Sequence, residues 1–235
     1  MKNLIIASTS TIYGSGYLDY ILPTLANHFK TAKTILFIPY ARPGGISHNE
    51  YTAIATKAFK KINKNVVGIH TFKNPVEAIN KAEGIFVGGG NTFVLTNQLY
   101  VNKLITPLQE MLKNGTPYLG TSAGSNICGL TIKTTNDMPI VYPPSFNALA
   151  LVPFNINPHY LDPDTSSKHM GETRETRINE FHHYNTPPVV GLREGSWLQV
   201  SGNAITLKGE LTARIFEHNK KPYEVNPETN LSNLN

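Results

Sequence analysis

Chemistry is most directly suggested by Gly120-Thr121-Ser122-Ala123-Gly124, a G-x-S-x-G segment that follows an apolar run and precedes a helix-compatible one. In that context the backbone turns sharply from strand to helix, the serine is forced into strained geometry, and its hydroxyl rises above the sheet edge. Ser122 is therefore the candidate nucleophile. The same segment also suits a glycine-rich βα turn whose serine merely caps the helix. Gly88-Gly89-Gly90-Asn91 comes directly after the apolar run ending at Val87. Its glycines leave backbone N–H groups unshielded, and the amides of Gly88 and Ala123 are the expected oxyanion donors. A tight turn or a phosphate nest would use the triplet as well.

A serine nucleophile needs a base, and the base needs an orienting group. Most of the 8 histidines read as surface residues, including His182 and His183 at a helix end, where the dipole favours cations. His159 differs, because it follows Phe154-Asn155-Ile156-Asn157-Pro158, a strand that ends in a loop and so can reach the sheet's functional edge. Asp137, in the polar loop Thr134 to Ile140 closed by Pro139, is the candidate acid, with Glu172 and Asp162 next in line. A core histidine and a turn-forming Asx residue are the competing readings. The order Ser122, Asp137, His159 is that of α/β-hydrolases, but separations of 15 and 22 residues are far too compact for that fold. No H-E-x-x-H spacing occurs, and adjacent rings at His182 and His183 cannot share a helix face, so no metal and no organic cofactor is implied.

Short apolar runs alternate with longer amphipathic ones up to about residue 130, the mark of βα units feeding a parallel sheet. Strands are expected at Asn3–Ser8, Thr34–Tyr40, Asn65–Ile69, Gly84–Val87 and Pro117–Gly120. Helical spacing covers Tyr17–Phe29, Asn49–Ile62, Pro75–Lys81 and Thr92–Leu112. Both glycine turns then fall at the carboxyl ends of neighbouring strands, where open α/β sheets bind ligands. Beyond residue 130 the pattern changes to proline-rich loops, one helix near Gly171–His183, and short strands at Val189–Leu192, Ser196–Val200, Ala204–Leu207 and Leu211–Phe216. The predicted fold is α/β, an open mostly parallel sheet with helices on both faces and antiparallel edge strands near the C-terminus.

Composition excludes several classes. The chain has 235 residues, 40% hydrophobic and 16% charged, with no apolar stretch near the roughly 20 residues needed to span a bilayer. A net charge of +5 comes from scattered cations, the densest spot being Lys57-Ala58-Phe59-Lys60-Lys61 on a helix edge, so no nucleic-acid partner and no membrane is expected. Cys128 is the one cysteine, which rules out an intramolecular disulfide, and Leu4-Ile5-Ile6-Ala7 is too short for the core of a signal peptide. The expectation is a cytoplasmic protein, monomer or homodimer, with one domain over residues 1–225 and a polar, fraying tail over 226–235.

Gly120-Thr121-Ser122-Ala123-Gly124-Ser125-Asn126, Thr134 to Val141, Ile156-Asn157-Pro158-His159 and Gly171-Glu172-Thr173-Arg174 together resemble the peptidase E family of cytoplasmic alpha-aspartyl dipeptidases. The likeness runs from the first strand to about residue 217 and includes Val87 to Phe93. It implies a fold related to class I glutamine amidotransferases and a Ser-His-Asp triad on Ser122, His159 and Asp137. It also implies dipeptide substrates with an N-terminal aspartate, read by Arg174, with Asn91 as a further substrate-binding residue. Leu161 to Met170 departs from the family pattern. Where related amidotransferase folds carry an elbow cysteine this chain has serine, and Cys128 reads as a small buried hydrophobe. Two rivals remain: a cyanophycinase-like beta-aspartyl peptidase, against which Asn136-Asp137-Met138-Pro139 argues, and a non-catalytic amidotransferase-like protein that binds a small anion.

Overall fold

The computed structural model describes every residue except Thr165, Ser167 and His169. Its strands are β1 (Asn3–Ala7), β2 (Thr34–Ile38), β3 (Asn65–Gly68), β4 (Ile85–Val87), β5 (Tyr118–Thr121), β6 (Asn155–Pro158), β7 (Val189–Leu192), β8 (Trp197–Ser201), β9 (Ala204–Lys208), β10 (Ala213–Phe216) and β11 (Tyr223–Val225). Its α-helices are α1 (Leu22–His28), α2 (His48–Lys60), α3 (Pro75–Asn80), α4 (Thr92–Val101), α5 (Ile105–Lys113), α6 (Ala123–Asn126) and α7 (Arg174–Phe181).

Seven strands form one sheet in the order β3-β2-β4-β5-β1-β8-β9. The first five are mutually parallel, whereas β8 joins β1 antiparallel and β9 joins β8 antiparallel. Side chains alternate across the central strands and divide the core in two. Ile5, Ala7, Ile35, Phe37 and Phe86 pack with α1 and α2 on one face. Leu4, Ile6, Leu36, Ile38, Ile85 and Val87 pack with α3, α4 and α5 on the other. Burying each large apolar side chain stabilises the fold by about 1.5–3 kcal/mol, so a near-continuous apolar strand fits only between two helical layers.

The region after residue 130 divides between two sheets. β8 and β9 supply the antiparallel edge, but β7 and β10 leave the main sheet and join a second one in the order β11-β10-β7-β6. Its residues Ile156, Val190, Leu192, Ala213 and Ile215 share the larger apolar cluster with the main sheet. β6 and β7 pair in parallel, which sets the end of β6 beside the turn after β7.

Two expectations are corrected. The single helix over Thr92–Leu112 is two helices, because Lys103 has φ 58 and the amides of Lys103 and Leu104 close back on Tyr100 and Leu99. Leu99 and Leu104 are both fully buried across that break, so apolar spacing alone reads through it. The tail over 226–235 is held, with Leu231 N–H on Ile205 O at 2.7 Å and Leu207 N–H on Thr229 O at 3.0 Å. Leu231 and Leu234 anchor it in the core.

Candidate active site

Ser122 lies between β5 and α6 with φ 54 and ψ −112, outside the regions an L-residue favours, at a cost of about 1–3 kcal/mol. The surrounding packing enforces the turn. A Cβ on Gly124 would stand 2.2 Å from Val87 O, so only glycine lets the elbow close against β4. The buried Ser125 hydroxyl lies 2.5 Å from Ala7 O and 2.8 Å from Gly120 O, sharing its proton across the turn. The Ser122 N–H donates to Ala7 O at 3.2 Å. The Ser122 side chain makes no capping bond to α6, which spans only four residues, so the capping alternative fails. Cys128 follows α6 as a buried thiol, pushed up to about 12 by burial and thus poorly nucleophilic.

The glycine loop after β4 reaches the elbow one residue later than expected. Gly88 N–H donates to Ile38 O at 3.2 Å, continuing the sheet, and so is already spent. The residue against the serine is Gly89: a Cβ there would meet Ser122 Cβ at 2.8 Å and Oγ at 3.4 Å. Asn91 is likewise occupied. Its Oδ1 accepts from Val94 N–H at 3.0 Å, capping α4, and its Nδ2 donates to Met138 O at 2.9 Å, so it braces the loop instead of facing a substrate.

His159 directly follows β6 with φ 54, and its N–H donates to Ser8 Oγ at 2.9 Å. The buried Ser8 hydroxyl donates onward to Leu192 O at 2.7 Å. Ser122 and His159 are therefore bonded to consecutive residues, Ala7 and Ser8, at the end of β1. The imidazole Nδ1 stands 2.6 Å from Glu194 Oε1, in the turn between β7 and β8. The acid expected there, Asp137, is elsewhere: its Oδ2 accepts from Thr92 N–H at 2.7 Å and from the Thr135 hydroxyl at 3.0 Å, at the start of α4. Glu172 and Asp162 are also engaged elsewhere, with Arg177 and Arg193.

Glu194 sits beside a dense ionic cluster. Arg193 donates to both Asp162 oxygens at 2.7 and 2.8 Å and to both Glu224 oxygens at 2.8 and 3.0 Å. Arg214 links Glu224 at 3.2 Å to Glu175 at 2.8 Å in the first turn of α7. Burial would raise the Glu224 carboxyl, but hydrogen bonds from Arg193, Thr212 and Arg214 outweigh it and hold the pKa at about 2.

Arg174 opens α7, where Thr173 accepts from Thr176 N–H as the cap. It is half-buried and, among the described residues, has no ion pair. Burial, and then the nearby Arg177 guanidinium, lower its pKa, while the Asp137 carboxylate opposes the shift. Arg174 lines a small cavity of about 40 Å³ with Thr135, Asn136, Asn157 and Arg177. Among the described residues no three His, Cys, Asp or Glu side chains are grouped to hold a metal ion, and no helix is long and apolar enough to cross a membrane.

A strained serine at a strand-to-helix elbow of an open, mostly parallel sheet places the chain among α/β hydrolytic enzymes. Residues 4–208 match peptidase family S51, and the chain belongs to that family; it is a peptidase. It is 48% identical over 236 residues to a Drosophila melanogaster protein named probable alpha-aspartyl dipeptidase, covering 99% of this chain and 97% of the relative. It is 45% identical to peptidase E of Streptomyces coelicolor, over 99% of this chain and 94% of that one. The crystal structure of a peptidase from an acI-B1 Actinobacterium superposes with a TM-score of 0.73 at 14% identity, covering 98% of this chain and 96% of that one, a likeness of fold.

Proposed function

We propose that this peptidase is a serine dipeptidase that releases aspartate from Asp-Xaa dipeptides, with Ser122 as nucleophile, His159 as general base and Glu194 as the group that holds the imidazole. The observation that carries the reading is the 2.6 Å contact of His159 Nδ1 with Glu194, on an imidazole whose backbone shares the end of β1 with the Ser122 elbow. The substrate class rests on the names of relatives at 45–48% identity. A cytoplasmic location fits a chain whose one cysteine is a buried free thiol.

In this mechanism His159 Nε2 takes the Ser122 proton as Oγ attacks the aspartyl carbonyl, and Glu194 fixes the tautomer and stabilises the imidazolium. The oxyanion forms beside Gly89 and the first amide of α6, so the N–H groups of Gly89 and Ala123 are the donors in place of the spent Gly88 amide. His159 then protonates the leaving amine. Water, deprotonated by the same imidazole, releases aspartate and restores Ser122. Arg174 is the side-chain reader, because a guanidinium with no carboxylate partner among the described residues can take one bidentately.

Hydrolysis of Asp-Leu, Glu-Leu, Asn-Leu and a beta-linked Asp-Leu tests the reading, together with labelling by a serine-reactive phosphonate. Asp-Leu is expected to be cleaved fastest, with the label on Ser122. Fastest cleavage of the beta-linked peptide favours the cyanophycinase-like alternative, and the absence of both label and cleavage favours a binding protein.

A further inference from the structure

With Glu194 on the imidazole, the Asp137 carboxylate is left for another task. Its Oδ2 is taken by the Thr92 amide and the Thr135 hydroxyl, and its Oδ1 has no hydrogen-bond partner among the described residues. Asp137 is half-buried, and the positive end of α4 offsets its charge. Its neighbours are fixed to both halves of the site. Met138 O accepts from Asn91, two residues after the Gly89 that abuts Ser122. On the other side Asn136 Nδ2 donates to Pro158 O at 2.8 Å, immediately before His159, and Asn136 Oδ1 accepts from Asn157 Nδ2 at 2.8 Å.

The cavity shared by Thr135, Asn136 and Arg174 brings the guanidinium to the same loop, and the two charges act on each other. Among the described residues they are not joined as an ion pair, so the arrangement is one anion and one cation, each with capacity for a ligand. An N-terminal aspartyl residue carries the complementary set, an ammonium on Cα and a carboxylate on the adjacent carbon. A neutral blocked amine would leave the half-buried carboxylate without the ammonium it can pair with, and a partly desolvated charge that loses a direct partner is disfavoured.

We infer that Asp137 binds the free α-ammonium of the substrate while Arg174 binds its side-chain carboxylate, so that Asp137 restricts the enzyme to unblocked N-termini. The inference rests on the Asp-Xaa reading and adds the group that recognises the other end of the residue. Asp137 is then essential for selection without belonging to the proton-transfer chain.

The test compares wild type and Asp137→Asn on Asp-Leu and on succinyl-leucine, the same molecule without the amine. Wild type is expected to prefer Asp-Leu by about 10² or more in kcat/KM, as for loss of a charge-assisted partner. Asp137→Asn is expected to erase most of that preference, chiefly through KM, with succinyl-leucine changed less than about threefold. The wild-type kcat/KM for Asp-Leu should also fall as pH rises through the substrate ammonium's pKa of about 8, and this limb should flatten in the variant. Equal losses on both substrates would overturn the inference in favour of a catalytic or structural role. If the variant does not fold, inhibition of wild type decides: L-aspartate should inhibit at least about tenfold more tightly than succinate, and equal inhibition overturns the inference. A wild type that cleaves other dipeptides but leaves Asp-Leu intact overturns the substrate reading itself, and the ammonium site with it.

Discussion

Glu194 Oε1 lies 2.6 Å from His159 Nδ1, and the two residues are brought together by the parallel pairing of β6 with β7, which ends one strand one residue before the imidazole and the other two residues before the carboxylate. The pairing fixes which acid can orient the base. Glu194→Gln is expected to favour the wrong tautomer and lower kcat on Asp-Leu by about 10⁴, with KM little changed. Steady-state kinetics checks this, and a loss below tenfold would return the role to another carboxylate.

The elbow strain makes a second prediction. Ser122→Ala should lower kcat by about 10⁶ while retaining the strained backbone. Ser122→Gly should be as inactive yet more stable than the alanine variant by about 1 kcal/mol, because glycine tolerates φ 54. Denaturant midpoints of the two variants decide; a more stable alanine variant would show that the turn is not strained.

The sequence makes the elbow legible because its signal is local: two glycines and a serine between an apolar strand and a helix. The βα order up to Thr121 is legible for the same reason, since each strand is a short apolar run and each helix has its own periodicity. Glu194 carries no such signal. It sits in the turn Arg193-Glu194-Gly195, 72 residues after Ser122, and only the second sheet places it at the imidazole. Asp137 is more visible because it shares a polar loop with a conspicuous proline, yet its bonds go to the start of α4. The tail reads as polar because only Leu231 and Leu234 face inward, too few to give a period.

Arg193 ties Asp162, which follows His159 by three residues, to Glu224, and it directly precedes Glu194. Arg193→Met is expected to destabilise the fold by about 1–3 kcal/mol, the partners being partly solvated, and to lower kcat by freeing the turn that carries Glu194. Arg193→Lys should restore little, since one ammonium cannot replace a fork bonded to two carboxylates. Full rescue by lysine would show that charge alone matters.

Stability should fall on acidification in two windows. Burial lowers the His28 pKa to about 4, against a hydrogen bond to Tyr118 O that raises it. The unfolded histidine gains its proton near pH 6.5, so stability is lost between about 6.5 and 4. The Glu224 carboxylate is ionised down to about pH 2 when folded but only to about 4.5 when unfolded, so its contribution is lost between about 4.5 and 2. Tm measured against pH should flatten in the upper window for His28→Gln and in the lower one for Glu224→Gln. An unaltered curve in either variant would remove that group from the account.

Arg174 provides the sharpest test of substrate selection, because its position admits a purely structural alternative. It lies in the first turn of α7, as a helix-surface arginine could, but unlike Arg177, which pairs with Glu172 at 3.5 Å, it has no carboxylate partner among the described residues. Deleting it breaks no ion pair among the described residues, so Arg174→Met should fold with a Tm close to wild type. If the guanidinium binds the aspartyl side chain, kcat/KM for Asp-Leu should fall by about 10² or more, while the slow cleavage of Asn-Leu, which presents no carboxylate, falls much less. The ratio of the two substrates is the decisive quantity, since a general disturbance of the site lowers both together. An Asp-to-Asn ratio unchanged by Arg174→Met would mean that the carboxylate is read by another residue.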